Sequence, residues 1–131
     1  MEPIKIRAKH GPEWKIQNDF VDFLEARHWH VERMIGNMLQ FGIPDINASH
    51  IKHGEKWIDL KNPESYDFTV RQIQKWPVWE KNGRKIWIIT GNHDYNKLFD
   101  PPNWRDYWKP KYDLIPTAEE ILDEAYPRSD P

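Results

Sequence analysis

Apolar positions recur along this chain with two periods, and the changes between them mark the elements. In residues 12–28, Ile16, Phe20 and Leu24 fall four apart and share one helical face with Glu13 and Gln17. Pro12 suits the first turn of that helix. Glu13 and Gln17 head the stripe. They either reach whatever the helix packs on or sit solvated on its rim, and periodicity alone favours the rim. Residues 29–35 alternate imperfectly and predict a strand, with a Gly-, Asn- and Pro-rich loop at 36–44. Residues 45–53 and 56–62 predict two further strands. His53, Gly54 and Glu55 form the turn between them, since glycine takes the positive φ of a hairpin.

A second helix is expected over about 65–81, kinked or split by Pro77 and closed by Asn82 and Gly83. Residues 85–90 are strongly apolar around Ile86, Trp87, Ile88 and Ile89, as in a strand covered on both faces. From Asp100 the pattern breaks at Pro101 and Pro102. An aromatic segment follows, with Trp104, Tyr107, Trp108 and Tyr112, and then a short helix opened by Thr117 with Glu120 in a capping box. The expected fold is a single α/β domain with an αβββαβ core over residues 1–99 and an appendage over 100–131.

Two of these strands carry the chemistry. Asp59 and Lys61 are two apart on one strand, so a carboxylate and an ammonium leave the same face. Asp45 opens the partner strand and can approach Asp59 directly across the ladder or diagonally. Two carboxylates at one point repel unless a cation lies between them, and their hard oxygens suit Mg²⁺ or Mn²⁺. An ion held there can polarise a phosphate and lower the pKa of an attacking water. The Leu60 carbonyl adds a candidate oxygen ligand, and Glu13 a further ligand or a hold on a bound water. Lys61 would stabilise developing charge or orient and deprotonate the water.

The pattern Pro44-Asp45, thirteen residues, then Asp59-Leu60-Lys61 resembles the PD-(D/E)XK nuclease superfamily. Within it the chain is most similar to the VRR-NUC branch and to phage and Holliday-junction-resolving nucleases. Glu13, Ile16 and Gln17 on the first helix and Gly42-Ile43-Pro44-Asp45 before the hairpin add to the likeness. The acid at 59 is Asp where Glu is common in that branch, and the appendage has no counterpart. Covering roughly residues 12–90, the resemblance implies a restriction-endonuclease-like core with a mixed sheet. It also implies that the second helix sets a polar residue, often Gln, beside the site. Gln72 is the choice for that role, with Gln74 close by. The activity implied is Mg²⁺-dependent hydrolysis of DNA, with a junction- or flap-selective endonuclease as one form of it, in a phage or a bacterium. A homodimer would supply two sites, with residues 104–112 as a candidate interface; packing on the domain's own flank is the other reading of that segment.

Other readings stand beside this one. Gly91-Asn92-His93-Asp94 after an apolar strand resembles an element of calcineurin-like metallophosphoesterases. That family's Asp-x-His and Gly-Asp segments are missing, so the tetrapeptide reads as a turn. His93, beyond the strand end, is a candidate DNA contact. His28, His30, His50 and His53 lack a known zinc spacing and read as partly exposed. A nucleic-acid-binding module that kept the fold without catalysis is the remaining alternative.

Composition bounds these readings. The absence of cysteine excludes disulfides, Cys-based zinc sites and thiol nucleophiles. No apolar run is long enough to span a membrane, and residues 1–11 hold no secretory h-region, so a cytoplasmic location is expected. The net charge is −2, but residues 113–131 alone carry −5, which leaves +3 on the rest. Lys5, Arg7, Lys9 and His10 form a basic arm suited to phosphates or to solvating a frayed terminus. Most of the eight tryptophans are expected in the core or at an interface.

Overall fold

The computed structural model describes residues 12–34 and 41–127. The basic arm and residues 35–40, which include most of the expected loop before residue 41, lie outside the described residues. Helix α1 (Pro12–Glu25) ends three residues earlier than the apolar stripe suggests. His28 takes a left-handed φ of 69°, and the Trp29 N–H reaches back to the Leu24 carbonyl at 3.1 Å. That pair closes the helix in the manner usual for glycine. Phe20, Val21 and Leu24 are buried, so the face read from the sequence is the one that packs.

Strands β1 (His30–Arg33), β2 (Ile46–His50) and β3 (Gly54–Leu60) form an antiparallel meander, and β4 (Ile86–Ile89) pairs with β3 in parallel. The sheet is four-stranded, open and mixed, in the order β1-β2-β3-β4. The hairpin turn comprises Ile51, Lys52 and His53, earlier than expected. Gly54, at φ 73°, is already the first residue of β3, opposite His50. The glycine signal was real, but it marks the end of the turn rather than its centre.

Helix α2 (Val70–Lys81) starts later than residue 65 because Thr69 caps it. The Thr69 hydroxyl accepts from the Gln72 N–H, and the Gln72 side chain accepts from the Thr69 N–H. Pro77 lies inside this helix without splitting it, with buried Trp76 and Trp79 holding that stretch to the sheet. Asn82 and Gly83 close it as expected, Gly83 at φ 90°.

The sheet divides the core in two. Ile46, Ala48, Ile58, Leu60, Trp87 and Ile89 pack toward α1, while Ile86 and Ile88 pack toward Ile73 and Trp76 of α2. All four residues of β4 are buried, as its unbroken apolar run implies. The appendage joins the second cluster through Trp104 and Tyr112. Trp104 and Tyr112 are spent within the chain's own fold, the flank packing considered for residues 104–112, while Tyr107 and Trp108 are half-buried beside them. Asn103 lies against the outer edge of β4, accepting from the Ile88 N–H at 2.7 Å and donating to the Ile88 carbonyl at 3.0 Å. Helix α3 (Ala118–Ala125) begins with the expected Thr117–Glu120 capping box. Among the described residues no helix is long and apolar enough to cross a membrane.

Candidate active site

The β2–β3 ladder pairs Ile46 with Ile58, so the next step along it sets Asp45 directly opposite Asp59. There the backbone ladder gives way to side chains. The Asp45 N–H donates to Asp59 Oδ1 at 3.2 Å, and the Leu60 N–H donates to Asp45 Oδ2 at 2.9 Å. Each carboxylate is thereby oriented by the other strand's backbone.

Asp59 and Lys61 share the face turned toward α2, as their spacing requires. Both are almost fully buried, 1% and 4% exposed. The Lys61 ammonium lies 3.0 Å from Asp59 Oδ2, donates to Gln72 Oε1 at 2.9 Å and reaches the Asp67 carbonyl at 3.4 Å. These three acceptors match its three N–H donors. The rings of Phe68 and Trp76 lie 5.0 and 5.7 Å from the same nitrogen and present it with their π faces. Gln72 rather than Gln74 is the helix residue at the site, and its double role in the α2 cap explains why its oxygen points there.

Loop 41–44 keeps α2 close. Gly42 has a φ of 80°, and a Cβ there would come within 2.7 Å of the Arg71 carbonyl carbon and 2.9 Å of the Gln72 nitrogen. The Gly42 carbonyl also accepts from the Trp76 indole N–H at 2.7 Å. Only glycine permits this approach.

Glu13, on the first turn of α1, accepts from the Asn62 N–H at 3.4 Å. It is exposed, as the rim reading held, yet it stands at the mouth of the site. Partial burial pushes its carboxyl up; Lys61 and the Asn62 N–H pull it down, and Asp59 adds a further upward push. Gln17 instead pairs with Arg33 at 3.3 Å. For Asp45 the imbalance is larger. Burial first, then the Asp59 charge, pushes it well above the usual carboxylate range, against the Leu60 N–H and Lys61, with Glu13 adding to the rise.

Two residues that support the site were not among the expected site residues, although Tyr112 stood out as part of the aromatic segment. Besides offering its carbonyl to Lys61, Asp67 accepts from the Tyr112 hydroxyl and, at 3.0 Å, from Lys111. These hydrogen bonds hold the Asp67 carboxyl down at about 2. Burial, then the bond to Asp67, pushes the Tyr112 phenol up to about 12. The Tyr112 oxygen in turn accepts from the Phe68 N–H at 2.9 Å. The appendage is thus wired to the segment that supports Lys61.

Elsewhere, His53 stacks on Trp29 with ring centroids 5.5 Å apart, His50 lies tilted against the same indole at 5.1 Å, and His30 pairs with Glu32 at 2.8 Å. Gly91-Asn92-His93-Asp94 leads into a 3₁₀ helix (Asn92–Phe99), with Asp94 buried and His93 exposed. Among the described residues no three His, Asp or Glu side chains are gathered round one point as a metal cage. Comparisons of the chain with family models, with curated proteins and with solved structures find no match.

Proposed function

We propose that this protein is a metal-dependent nuclease of the PD-(D/E)XK type, which hydrolyses DNA phosphodiester bonds through Asp45, Asp59 and Lys61. One observation carries the reading: two carboxylates face each other across a ladder, beside a buried lysine fixed by a helix glutamine. An α/β core in the order αβββαβ with a mixed sheet is also what a restriction-endonuclease-like domain requires.

The donors fit a hard cation in their chemistry. The Asp45 and Asp59 carboxylates and the Leu60 carbonyl are the oxygens that would hold Mg²⁺ or Mn²⁺, with Glu13 at the mouth. The raised Asp45 carboxyl is a charge conflict of the kind a cation relieves. When bound, such an ion supplies polarisation of a phosphate oxygen and a more acidic water.

The chain's own groups do the rest. Hydrolysis joins a water oxygen to phosphorus as the bond to the leaving sugar oxygen breaks, and the water's proton passes through solvent to that departing oxygen. With its three donors engaged, Lys61 acts as a fixed positive charge for the developing phosphate oxygens rather than as the proton acceptor. Its longest contact, 3.4 Å to the Asp67 carbonyl, is the one most readily exchanged for a phosphate oxygen. Gln72 keeps the ammonium in place during that exchange, and Glu13 is the group that would orient the water. Cutting both strands of a duplex would need two such sites, hence a dimer formed through a surface other than the buried aromatics of the appendage.

Cleavage of linear, flap, four-way-junction and single-stranded DNA with Mg²⁺ or Mn²⁺ tests the reading, with a chelator control. Wild type should cut at least one substrate, and Lys61→Ala should lose about a hundredfold or more. Undiminished cutting by Lys61→Ala would place the chemistry elsewhere. Tight DNA binding without any cutting by the wild type would favour a non-catalytic binding module.

A further inference from the structure

Beside the site, at the end of β4, lies a group the mechanism above does not use. Leu60 pairs with Ile89 in the parallel ladder, and the Lys61 N–H reaches the Ile89 carbonyl at 3.1 Å. Thr90 follows Ile89, so it stands next to Lys61 at the same sheet edge, one strand spacing or about 5 Å away. Thr90 is buried. It gives its single hydroxyl hydrogen to Asp94 Oδ2 at 2.7 Å, so its oxygen can only accept from His93 Nε2 at 3.2 Å. With the hydroxyl hydrogen on Asp94, Nε2 is the ring nitrogen that donates to Thr90, whose side chain Tyr107 also hydrogen-bonds, and Nδ1 is the nitrogen that Thr90 does not engage.

The surroundings hold this arrangement in place. Asp94, itself buried, also accepts from the backbone N–H groups of Thr90 and Gly91, at 3.1 to 3.2 Å. Position 91 is in an extended conformation that any residue can adopt, so its glycine is not needed for φ. What the glycine leaves is room: a Cβ there would sit 3.0 Å from His93 Nδ1 and 3.1 Å from Cε1. An exposed imidazole is therefore tethered at one nitrogen, with the backbone clear beside the other, and a buried carboxylate stands behind the hydroxyl that tethers it.

Building on the nuclease reading, we propose that His93 is a second phosphate contact of this site. As the phosphodiester binds, the ring takes up a proton at Nδ1 and donates it to a phosphodiester oxygen next to the one being cut. The chain of bonds from Asp94 through Thr90 to Nε2 offsets the positive charge of the ring and aims it, in the way a carboxylate orients an imidazole in other sites. The ligand class is the nucleic-acid backbone rather than a base, because a single exposed donor beside a lysine carries no base pattern.

Two variants test this by different routes. His93→Gln keeps an N–H donor for Thr90 and removes the ring. Gly91→Ala keeps the imidazole but sets a methyl group 3.0 Å from Nδ1, so the ring must shift and Nδ1 is obstructed. On a short DNA duplex cut by the wild type, each should raise KM about tenfold, the worth of one charge-assisted contact, with kcat within about threefold. The salt dependence of duplex binding should weaken by about one phosphate contact. Unchanged KM and salt slope in both variants would overturn the proposal, as would a loss confined to kcat, which would mark a proton-transfer role. A wild type that cuts no DNA removes the nuclease reading itself; a cutting wild type with indifferent variants removes only this inference.

Discussion

The fold disfavours the ionised form of Asp45. Its folded-state carboxyl lies well above the ordinary value of 3.8, chiefly through burial and then through Asp59. The native state therefore binds a proton more tightly than the unfolded chain does, and ionising Asp45 costs stability as pH rises between 3.8 and the raised value. Asn can still accept from the Leu60 N–H and carries no charge. Asp45→Asn is accordingly expected to melt at a higher temperature than wild type at neutral pH, with the gain fading on acidification toward about pH 4. The same variant should be inactive, and a lower melting temperature for it at neutral pH would contradict the account. At this scale the sequence was informative wherever spacing does the work. A period of two sets Asp59 beside Lys61, and the hairpin brings Asp45 across. Asp67 and Tyr112 were illegible because they are 45 residues apart and meet through packing, which no local pattern encodes.

Among the elements, β4 is one of the two edge strands of the sheet and the one whose residues are all buried. It is the last strand of an open sheet, where unpaired backbone invites association. The Asn103 amide pairs with both the N–H and the carbonyl of Ile88 and so imitates one step of a further strand. Asn103→Ala should cost about 2–4 kcal/mol, since two buried backbone groups lose their partners. Thermal or urea unfolding measures the loss, and a change below about 0.5 kcal/mol would mean that water replaces the amide. The strand was plain in the sequence from its apolar run, but its partner was not, because one asparagine among prolines and tryptophans has no period. The start of α2 was legible in principle. Thr69 and Gln72 have the spacing of a capping box, but the expectation took the helix back to Ser65 and passed over that signal.

For the whole molecule, the order of elements followed from where the hydrophobic period switches between four and two, and the structure keeps that order. Of the strand neighbours only the β2–β3 pair followed, from the hairpin turn between them; the partners of β1 and β4 did not, because periodicity fixes which face a strand buries and says nothing of its partners. Charge separates along the chain as well: the acidic C-terminal stretch makes its own helix, tied to α2 by Lys81 and Glu119 at 2.6 Å.

The Trp76 indole, buried 5.7 Å from the Lys61 nitrogen, gives the protein an optical consequence. Emission from a buried indole responds to charges near its ring, so a rearrangement of the Asp59–Lys61 pair should be visible in the protein's own light. Adding Mg²⁺ without DNA is expected to change tryptophan fluorescence in wild type and to leave Asp45→Asn dark to the ion. An equal change in both would place the ion elsewhere. The site would then carry its own gauge of occupancy, readable before any bond is cut.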